Sequence, residues 1–534
     1  MTKLKIYSYL SGMKGLPIGL DSFEDFSSLD SIYVDKTAFI YRLMHAGGKT
    51  IFLSRPRRFG KSLLLSTIQA VFEGKKELFK GLFIEDKIDW ETYPVISLNM
   101  TVTVRSVEKM EEGLRGHLLG IAANRQLSIP YQDPATILAE LIRQLYVKHN
   151  KQVVVLVDEC DKPILDSVDD LELANEIRKI LQGFYATLKA SSAYIRFVML
   201  TGVSKISQTS LFSGFNQYND ITLNPDYAGI CGYTQQELEQ HFDEYVDEVA
   251  PLLQLSKKDL YQKIKFWYNG YSWDGKTFVY NPFSVLRLFS EKEFSAYWFA
   301  TGTPSFLLKL LDKFSDYSPI LADENRVERG FEDTQSLENM QLLPLFFQTG
   351  YLTIKESLVG DPYYKYVLKV PNEEVRKALL ETLVTYFVKL PRRSDLLVLG
   401  QNLADAFEKG DTAAAIKYLN VLYSHASYHQ CIYSEGYYHN LFEIFSKFAG
   451  IDLLIESRTD IGRVDSVLRF PDRTYIIEMK YAAEQNDLPT AAATALDQIK
   501  QKNYQLPYLH QGKTVHLLGL AFTKGGIGYE EELT

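Results

Sequence analysis

Short apolar segments alternate with segments of helical periodicity between about residues 49 and 202. Four of the apolar segments have the length and the β-branched content of strands. The third of them is apolar at every position, which is typical of a strand buried on both faces of a parallel sheet. We therefore predict a mostly parallel sheet covered by helices. The predicted strands are 50–53, 93–99, 153–157 and 194–200, and a helix is predicted at 62–72.

The middle of the chain has mainly helical patterning. Residues 232–316 have helical periodicity, which is interrupted at the aromatic turn 268–275. Further on, Pro344 should break or kink a predicted helix, because proline lacks the amide hydrogen. A hairpin and a second helix follow, an order that suits a winged-helix-like lid. These elements are predicted at 337–348 (helix), 351–355 with 364–370 (hairpin) and 372–388 (helix), before a linker at 391–394 and two helices within 395–424.

The last hundred residues form a separate block that alternates between strand and helix patterns. A helix comes first, then three strands, a second helix and a final strand. Their predicted ranges are 434–448, 451–456, 464–470, 474–480, 488–503 and 514–522. The whole chain is thus expected to be an α/β multidomain protein. We expect domains at 1–231, 232–390 and 431–534, with a helical linker at 391–430.

Composition and charge narrow the class of protein. Of 534 residues, 46% are hydrophobic and 23% charged, which excludes a disordered, collagen-like or disulfide-stapled chain. The formal net charge of -9 argues against a polyanion binder built on the whole surface. No segment has the apolar length of a membrane span, so no membrane partner is expected. Three scattered cysteines, Cys160, Cys231 and Cys431, favour a reduced, cytoplasmic location.

A candidate phosphate loop lies between the first predicted strand and its helix. Its sequence from Arg55 to Ser62 is Arg-Pro-Arg-Arg-Phe-Gly-Lys-Ser, which is a P-loop with arginine in place of the first glycine. Gly60 would let successive amides point at a phosphate, and Lys61 would neutralise the β- and γ-phosphates. The Ser62 hydroxyl would hold Mg²⁺. Arg55 and its neighbouring arginines would add charge beside the loop. Alone, a chance Gly-Lys-Ser at a helix start explains the pattern equally well.

A second feature strengthens the nucleotide hypothesis. The buried strand 153–157 is followed by Asp158 and Glu159, as in a Walker B element. Asp158 would bind Mg²⁺ through water, and Glu159 would orient or deprotonate the attacking water. The alternative is an exposed acidic strand end. Thr201 and Ser204 follow the neighbouring strand, where they could sense the γ-phosphate or cap a helix.

These motifs together resemble the AAA-ATPase-like family of bacterial P-loop proteins, in which arginine at the position of Arg55 is ordinary. The resemblance rests on residues 16–19, 33–37, 55–62, 158–163 and 201–205, and Cys160 stands where the family more often has an aromatic residue. It implies that residues 16–19 lie along the adenine; no arginine finger can be assigned. The implied ATP and Mg²⁺ ligands are Arg58, Phe59, Gly60, Lys61, Ser62, Asp158 and Thr201, with Glu159 as catalytic base.

A second constellation lies in the C-terminal block. Asp465 occupies one predicted strand, and Glu478 and Lys480 occupy the next, two apart and so on one face. Acids on adjacent strands can hold Mg²⁺ or Mn²⁺, which acidifies a water for attack on a phosphodiester. Lys480 would hold that water or stabilise the transition state. A hairpin with a charged solvent face is the alternative, but the neighbouring positions are apolar, and buried acids are costly without a compensating ligand.

This block resembles the PD-(D/E)XK nuclease superfamily in its order of helices and strands. The resemblance places Asp465, Glu478 and Lys480 in the catalytic motif and makes Glu435 the acid of the first helix, with Glu443 as a rival. It implies a metal held by Glu435, Asp465 and Glu478. Two helix residues often near the DNA or the metal are matched by Gln498 and Tyr504.

The resulting hypothesis is an ATP-binding and ATP-hydrolysing protein whose nucleotide state controls a Mg²⁺-dependent nuclease, with DNA as the expected substrate. Residues 431–534 carry 10 Lys plus Arg against 14 Asp plus Glu, so strong DNA binding by this block alone is not expected. A lid, another subunit or a partner would then assist substrate capture. The alternative is a slowly hydrolysing or non-hydrolysing ATP switch with a non-catalytic nuclease-like domain.

Overall fold

The structure is a computed structural model that forms two compact units. The first contains Met1–Leu310 and Glu324–Val375, and the second contains Leu311–Asp323 and Arg376–Thr534. The described residues are 13–102, 104–205, 218–298, 310–311, 314, 317–333, 341–388, 393–426, 435–459, 462–509 and 512–534. Predicted positions 337–340, 391–392, 431, 434 and 460–461 lie outside them. The four-domain division stays a prediction.

A five-stranded parallel sheet is the centre of the first unit. Its strand order is β2-β3-β4-β1-β5, and every pairing is parallel. All six residues of β3 are buried, as its uninterrupted apolar sequence predicts. The predicted parallel sheet is therefore confirmed, and β5 is an added edge strand. The strands are β1 (Thr50–Ser54), β2 (Val95–Asn99), β3 (Val153–Asp158), β4 (Ile195–Gly202) and β5 (Asn219–Asp220).

Helices alternate with these strands. Three of them begin at side-chain caps, because Ser106, Asp133 and Asp170 each accept a hydrogen bond from an amide in the first turn. The helices are α1 (Phe23–Ser28), α2 (Thr37–His45), α3 (Lys61–Phe72), α4 (Val107–Asn124), α5 (Pro134–His149) and α6 (Leu171–Ala190). Single turns of helix lie at Lys76–Phe79, Lys162–Leu165, Ser192–Tyr194 and Pro225–Tyr227.

The rest of the first unit is mainly helical, as predicted, with two small antiparallel sheets. Thr234 and Glu237 form a capping box at the start of α7. Pro344 is tolerated because it lies in the first turn of α10, where the amide has no helical partner. The elements are β6 (Tyr233–Thr234), α7 (Gln235–Leu252), α8 (Lys257–Tyr268), β7 (Val279–Tyr280), α9 (Pro282–Glu291), β8 (Asn325–Val327), α10 (Leu342–Thr349), β9 (Thr353–Ser357) and β10 (Tyr366–Lys369).

The predicted hairpin forms as β9 with β10, and β8 pairs with the other edge of β10. Sequence patterning did not predict β8, because three residues are too few to show alternation. The predicted helix after the hairpin is α11 (Glu373–Phe387). The division between the two units falls after Val375, within the first turn of this helix.

The second unit contains a mixed five-stranded sheet in the order β11-β12-β13-β14-β15. Only β13 and β14 pair in parallel. The elements are one turn at Ser318–Leu321, α12 (Arg393–Lys409), α13 (Thr412–Ser424), α14 (Glu435–Phe448), β11 (Asp452–Thr459), β12 (Gly462–Arg469), β13 (Arg473–Tyr481), α15 (Leu488–Gln501), β14 (Thr514–Thr523) and β15 (Gly526–Leu533). Two further single turns lie at Gln485–Asp487 and Leu506–Tyr508.

The predicted order of helix, three strands, helix and strand is confirmed in this unit. Strand β15 was not predicted, because its glycines and acids give it the composition of a tail. In both units, over the described ranges, no helix combines the length and the apolar character that crossing a bilayer requires. Cys160 and Cys231 are buried free thiols.

Candidate functional site

The predicted phosphate loop joins β1 to the first residue of α3. Arg58 and Gly60 adopt left-handed backbone conformations, with φ of 68° and 88°. A Cβ at Gly60 would meet no atom within 4 Å, so this glycine is required by conformation and not by space. Arg55 is not among the residues with positive φ. The missing first glycine is therefore not needed for the curvature of this loop.

Arg55 does not have the expected role of adding charge beside the phosphates. Its side chain is fully buried, and its guanidinium donates to the carbonyl oxygens of Ser54 (2.8 Å), Thr222 (2.9 Å) and Tyr227 (3.3 Å). It also lies 3.9 Å from the centre of the Trp273 ring. Burial lowers the pKa of Arg55 to about 10. The guanidinium of Arg55 therefore stabilises the backbone around the loop. The expectation that its charge would lie beside the phosphates was wrong.

Four predicted ligands of the nucleotide and its metal meet at the start of α3. The Ser62 hydroxyl donates to Asp158 Oδ2 at 2.5 Å, and the Thr201 hydroxyl donates to Asp158 Oδ1 at 2.6 Å. Lys61 Nζ donates to the carbonyl oxygens of Arg55 (2.8 Å) and Pro56 (3.0 Å). Burial lowers the pKa of Lys61, and the charge of Asp158 opposes that shift.

Glu159 lies beside this group in a left-handed conformation, with φ of 53°. Its Oε2 accepts a hydrogen bond from the hydroxyl of Thr101 at 3.1 Å. Both residues line the cavity described below. Thr101 was missed by the sequence analysis; its position just after β2, next to the strand that carries Asp158, was the available signal.

Ser204 does not join Thr201 at Asp158. Its amide and its hydroxyl both donate to Asp161 Oδ2, at 2.6 and 3.0 Å. Asp161 also accepts from the amide of Val203 at 3.0 Å, and burial raises its pKa. Asp161, which was not singled out from the sequence, therefore fixes the segment that follows β4.

A cavity of 420 Å³ opens in front of the phosphate loop, within the usual size range of small-molecule sites. The ring of Phe59 is buried against Tyr271 (4.8 Å between centroids) and does not line it. The lining combines cationic, acidic and apolar groups: Pro17, Gly19, Leu20, Asp21, Phe26, Arg57, Arg58, Gly60, Lys61, Ser62, Leu63, Thr101, Glu159, Lys162, Tyr233, Pro282, Phe283 and Leu286. In this lining, Ser62 contributes a hydroxyl and Glu159 a carboxylate, and oxygen donors of this kind are those that Mg²⁺ prefers.

The C-terminal candidate centre is formed by β12, β13 and α14. The register pairs Ser466 with Ile477, which brings Asp465 beside Glu478. Glu478 is 2% exposed, and burial together with the charge of Asp465 raises its pKa to about 7. Burial raises the pKa of Asp465 as well. Two carboxyl groups are thus desolvated side by side, which favours a cation between them.

Neighbouring side chains contact one carboxylate oxygen of Glu478, and the other oxygen has no hydrogen bond. Oε1 accepts from Gln498 Nε2 and lies 3.5 Å from Lys480 Nζ. Oε2 is buried and makes no hydrogen bond. Asp465 Oδ2 accepts from the amide of Met479 at 2.8 Å. A buried carboxylate oxygen without a partner fits a bound divalent cation, because such a group is otherwise costly.

Glu435 is placed differently from the other two predicted metal ligands. It is exposed at the start of α14, 3.7 Å from Lys480 Nζ, and accepts from the amide of Tyr481 at 3.4 Å. Its rival Glu443 is buried. Over the part of the chain that the structure describes, no three His, Cys, Asp or Glu side chains form a group that could hold a metal as they stand. Tyr504 packs in a hydrophobic cluster that includes Val464.

His439 is a residue of this centre that the sequence analysis missed. It lies one helical turn after Glu435, and its Nε2 is 3.3 Å from Asp465 Oδ2. The spacing of four residues within α14 was the signal that could have found it.

Comparisons with known proteins identify a domain family at each end of the chain. A family model described as "Predicted AAA-ATPase" matches residues 17–212, and one for the PD-(D/E)XK nuclease superfamily matches residues 433–532. A protein of Azotobacter chroococcum mcd 1, described as an uncharacterized protein in the vnfD 5' region, is 37% identical over 522 residues. The similarity covers 96% of this chain and 97% of that protein. The chain therefore belongs to the same family as that protein, and it carries an N-terminal AAA-ATPase-like domain and a C-terminal domain of the PD-(D/E)XK nuclease superfamily.

Proposed function

We propose that this protein hydrolyses ATP at the phosphate loop and uses its nucleotide state to control hydrolysis of nucleic acid phosphodiesters, with DNA as the expected substrate, at the C-terminal centre. The observation that carries the proposal is the group of Ser62, Asp158 and Thr201. It ties the loop to the end of a buried strand, and Ser62 also lines the 420 Å³ cavity. A chance Gly-Lys-Ser sequence would not need this connection.

In ATP hydrolysis, each of these residues has a definite task. Lys61 exchanges its two carbonyl acceptors for oxygens of the β- and γ-phosphates. Glu159, oriented by Thr101, takes a proton from the attacking water. The water oxygen bonds to the γ-phosphorus while the bond to the bridging oxygen breaks, which yields ADP and phosphate. Ser62 and Asp158 would hold Mg²⁺, which when bound neutralises phosphate charge.

In phosphodiester hydrolysis, one water is consumed and one P–O ester bond is exchanged for a new P–O bond. The products are a phosphate monoester and an alcohol, and the alcohol oxygen takes up a proton from solvent. Asp465 and Glu478 would hold a divalent ion (Mg²⁺ or Mn²⁺), which when bound supplies an acidic water and offsets negative charge. Lys480, between two glutamates, is placed to donate to the phosphate as its charge grows.

Contacts that begin at the phosphate loop support control by nucleotide. The carbonyl oxygen of Arg57 accepts from the indole of Trp298 at 3.2 Å. The backbone amide of Trp298 donates to the buried carboxyl of Glu374 at 2.7 Å. The chain enters the second unit directly after Val375, the next residue. A nucleotide that moves the loop would therefore act on Glu374, which lies in the first turn of α11 and directly before the end of the first unit.

Turnover of radiolabelled ATP by the full chain tests the first activity. We expect Lys61→Ala to lower turnover about 100-fold or more, because the lysine stabilises the transferring phosphoryl group. Lys80→Ala, which removes an exposed lysine of the same unit, should turn over like the wild type. Equal turnover by Lys61→Ala and Lys80→Ala would show that the loop is not the ATP site.

Cleavage of labelled single-stranded DNA, duplex DNA and RNA in Mg²⁺ or Mn²⁺ tests the second activity. Lys480→Ala and Asp465→Asn should both abolish cleavage, while Lys502→Ala, an exposed lysine after α15, should not. Unchanged cleavage by Lys480→Ala would exclude this centre. Purified protein that retains ATP and cleaves none of the substrates would favour the alternative, a regulatory switch with a non-catalytic nuclease-like domain.

A further inference from the structure

The cavity in front of the phosphate loop has an excess of positive charge. Among the described residues that line it, four are cations and two are acids, which gives a net charge of +2. A triphosphate is strongly negative, so this excess suits it. Three of the cations belong to the loop itself, and the fourth, Lys162, has no task in the mechanism given above. The cations are Arg57, Arg58, Lys61 and Lys162, and the acids are Asp21 and Glu159.

Lys162 reaches the cavity from a different strand than the loop cations do. It begins the single helical turn that follows β3, and β4 separates β3 from β1, the strand that leads into the loop. The amide of Lys162 donates to the carbonyl oxygen of Glu159 at 3.0 Å, so the chain turns back between these two residues. The proposed catalytic base and this cation therefore belong to one tight turn and line the same cavity.

This turn is firmly anchored to the segment after β4. Asp161, which is 1% exposed, accepts hydrogen bonds from the amides of Val203 at 3.0 Å and Ser204 at 2.6 Å. Asp161 lies between Glu159 and Lys162, so these bonds hold the backbone of both in place. A group that stabilises a transition state must be positioned in advance in this way, because reorganisation during the reaction would cost part of the gain.

The side chain of Lys162 has a partner that it can leave. Its Nζ donates to the carboxylate of Asp166 at 2.8 and 3.1 Å, one helical turn further on. The side chains of Lys162 and Asp166 are 21% and 31% exposed. An ion pair that is open to water contributes little to stability, so replacing it by a contact with phosphate costs little. Lys61 likewise holds exchangeable acceptors in its loop.

We propose that Lys162 is a catalytic cation of the ATPase site, which leaves Asp166 and donates to an oxygen of the γ-phosphate as negative charge grows there. The proposal rests on the proposed hydrolysis of ATP at the loop. Glu159 takes the proton of the attacking water, whereas Lys162 keeps its own proton throughout and supplies only positive charge. In this way the chain itself provides the cation that other nucleotide hydrolases take from an arginine finger.

The arginines of the loop suit this task less well. The guanidinium of Arg58 lies 5.1 Å from the centre of the Phe283 ring, in the apolar part of the lining. Arg57 and Arg58 also belong to the same loop as Lys61, and cations of the loop bind the triphosphate before the reaction as well as during it. Such uniform binding does not accelerate the chemical step. Lys162 instead lies beside the proposed base, where the attacking water would be.

The competing explanation is an ordinary ion pair that stabilises the turn. Lys162→Met and Asp166→Asn both break that pair, so a purely structural role predicts the same effect from each. If Lys162 acts on the γ-phosphate, only Lys162→Met is harmful, because Asp166→Asn leaves the lysine free to contact phosphate. The two explanations thus differ in the comparison of two variants, and not in the effect of one.

The experiment uses the full chain with Mg²⁺ and measures three quantities. They are single-turnover hydrolysis of ATP, the affinity for a non-hydrolysable ATP analogue, and the affinity for ADP with aluminium fluoride, which mimics the transferring phosphoryl group. Lys162→Met should hydrolyse about 10²- to 10³-fold more slowly and lose about as much affinity for the mimic. Its affinity for the ATP analogue should change less than about threefold. Asp166→Asn and the exposed control Lys179→Met should match the wild type in all three.

The outcomes separate this proposal from the proposed function. If Lys61→Ala binds and hydrolyses ATP as the wild type does, the ATPase site itself is wrong. If Lys61→Ala is inactive but Lys162→Met matches Lys179→Met, only the role of Lys162 is overturned. Equal losses in Lys162→Met and Asp166→Asn overturn it as well, and so does equal weakening of both ligands by Lys162→Met. If Lys162→Met does not fold, Lys162→Gln, which can still donate to Asp166, takes its place under the same criteria.

Discussion

At the scale of the residue, both candidate sites hold charged groups in hydrogen bonds that a ligand must replace. Lys61 donates to two carbonyl oxygens of its own loop, and Gln498 donates to Glu478. Each group is buried, so its alternative partner must be at least as good as the present one. The measured affinity for nucleotide or metal will therefore be a difference between two sets of hydrogen bonds, and single substitutions at these partners can raise it.

Glu159 gives the sharpest prediction for an individual residue. Glu159→Gln should bind ATP with unchanged affinity and turn over about 10²- to 10⁴-fold more slowly, because the amide cannot accept the proton of the attacking water. Nucleotide binding by calorimetry and single-turnover hydrolysis measure the two effects separately. Glu176→Gln, on the exposed face of α6, is the matched control and should alter neither. A variant that hydrolyses at the wild-type rate would remove Glu159 from the mechanism.

The buried carboxyl of Glu374 predicts a dependence of stability on pH. Its burial raises the pKa to about 8, against about 4.3 for an unfolded glutamate. Between these values the folded chain keeps a proton that the unfolded chain loses, so the free energy of unfolding falls as pH rises. The slope should be about 1.4 kcal/mol per pH unit near neutrality.

Glu374→Gln should remove that slope, since the amide is always neutral and can still bond to Ser284. Urea unfolding from about pH 5.5 to about pH 8.5 measures it, with the neighbouring Glu373→Gln as the control that keeps the slope. Parallel pH profiles for wild type and Glu374→Gln would show that Glu374 is not protonated in the folded chain.

At the scale of the element, the positions of the sites follow from strand ends and helix starts. Asp158 is the last residue of β3, and Lys61 and Ser62 are the first of α3. Asp465 and Glu478 are on adjacent strands whose register places them side by side. Each ligand therefore has a short rigid connection to the buried sheet of its own unit, and the exposed ends of the elements carry the polar groups.

Gly270 follows the end of α8 and tests how closely two backbone segments of the first unit must approach. It has a φ of 105°, and a Cβ there would collide with the carbonyl oxygen of Pro371. Gly270→Ala should destabilise the protein by about 3 kcal/mol or more. Gly116→Ala, in the exposed middle of α4 with nothing near its Cβ, should instead stabilise it by about 0.5–1 kcal/mol. Thermal unfolding compares the two, and equal effects would mean that the backbone at Gly270 adapts.

The sequence predicted elements whose signal is long or chemically specific. The apolar strand before Asp158 and the Gly-Lys-Ser helix start are of this kind. It missed β8 because three residues show no periodicity, and β15 because glycines and acids conceal a strand that pairs with β14. It misjudged Arg55 because burial of a guanidinium depends on carbonyl groups far along the chain. His439 was missed because its meaning depends on Asp465, which only the folded sheet brings near.

At the scale of the whole molecule, the chain carries two candidate sites for phosphate chemistry and a net charge of -9. Its C-terminal block has more acids than bases, so release of counterions can give it little affinity for DNA. We therefore expect the C-terminal block to capture nucleic acid only when another part of the protein or a partner assists it. Within the first unit, hydrogen bonds connect Arg57 through Trp298 to Glu374, and the proposed control by nucleotide would act through them.

Cleavage measured with and without a non-hydrolysable ATP analogue tests this control. We expect the analogue to change the wild-type cleavage rate about 5- to 150-fold, the usual range of coupling between two sites. Lys61→Ala should cleave at the rate of the nucleotide-free wild type whether or not the analogue is present. Lys80→Ala should respond as the wild type does. An identical response in Lys61→Ala would place the effector site away from the loop.

The burial of Arg55 has a consequence for how such loops are recognised and altered. A pattern that demands glycine at its position passes over this chain, although the backbone there has no need of glycine. Arg55→Gly would therefore destabilise the region around the loop. It would empty the space against Trp273 and strip three carbonyl oxygens of their donor. In this chain, arginine therefore has a structural role at a position that the usual pattern assigns to a backbone requirement for glycine.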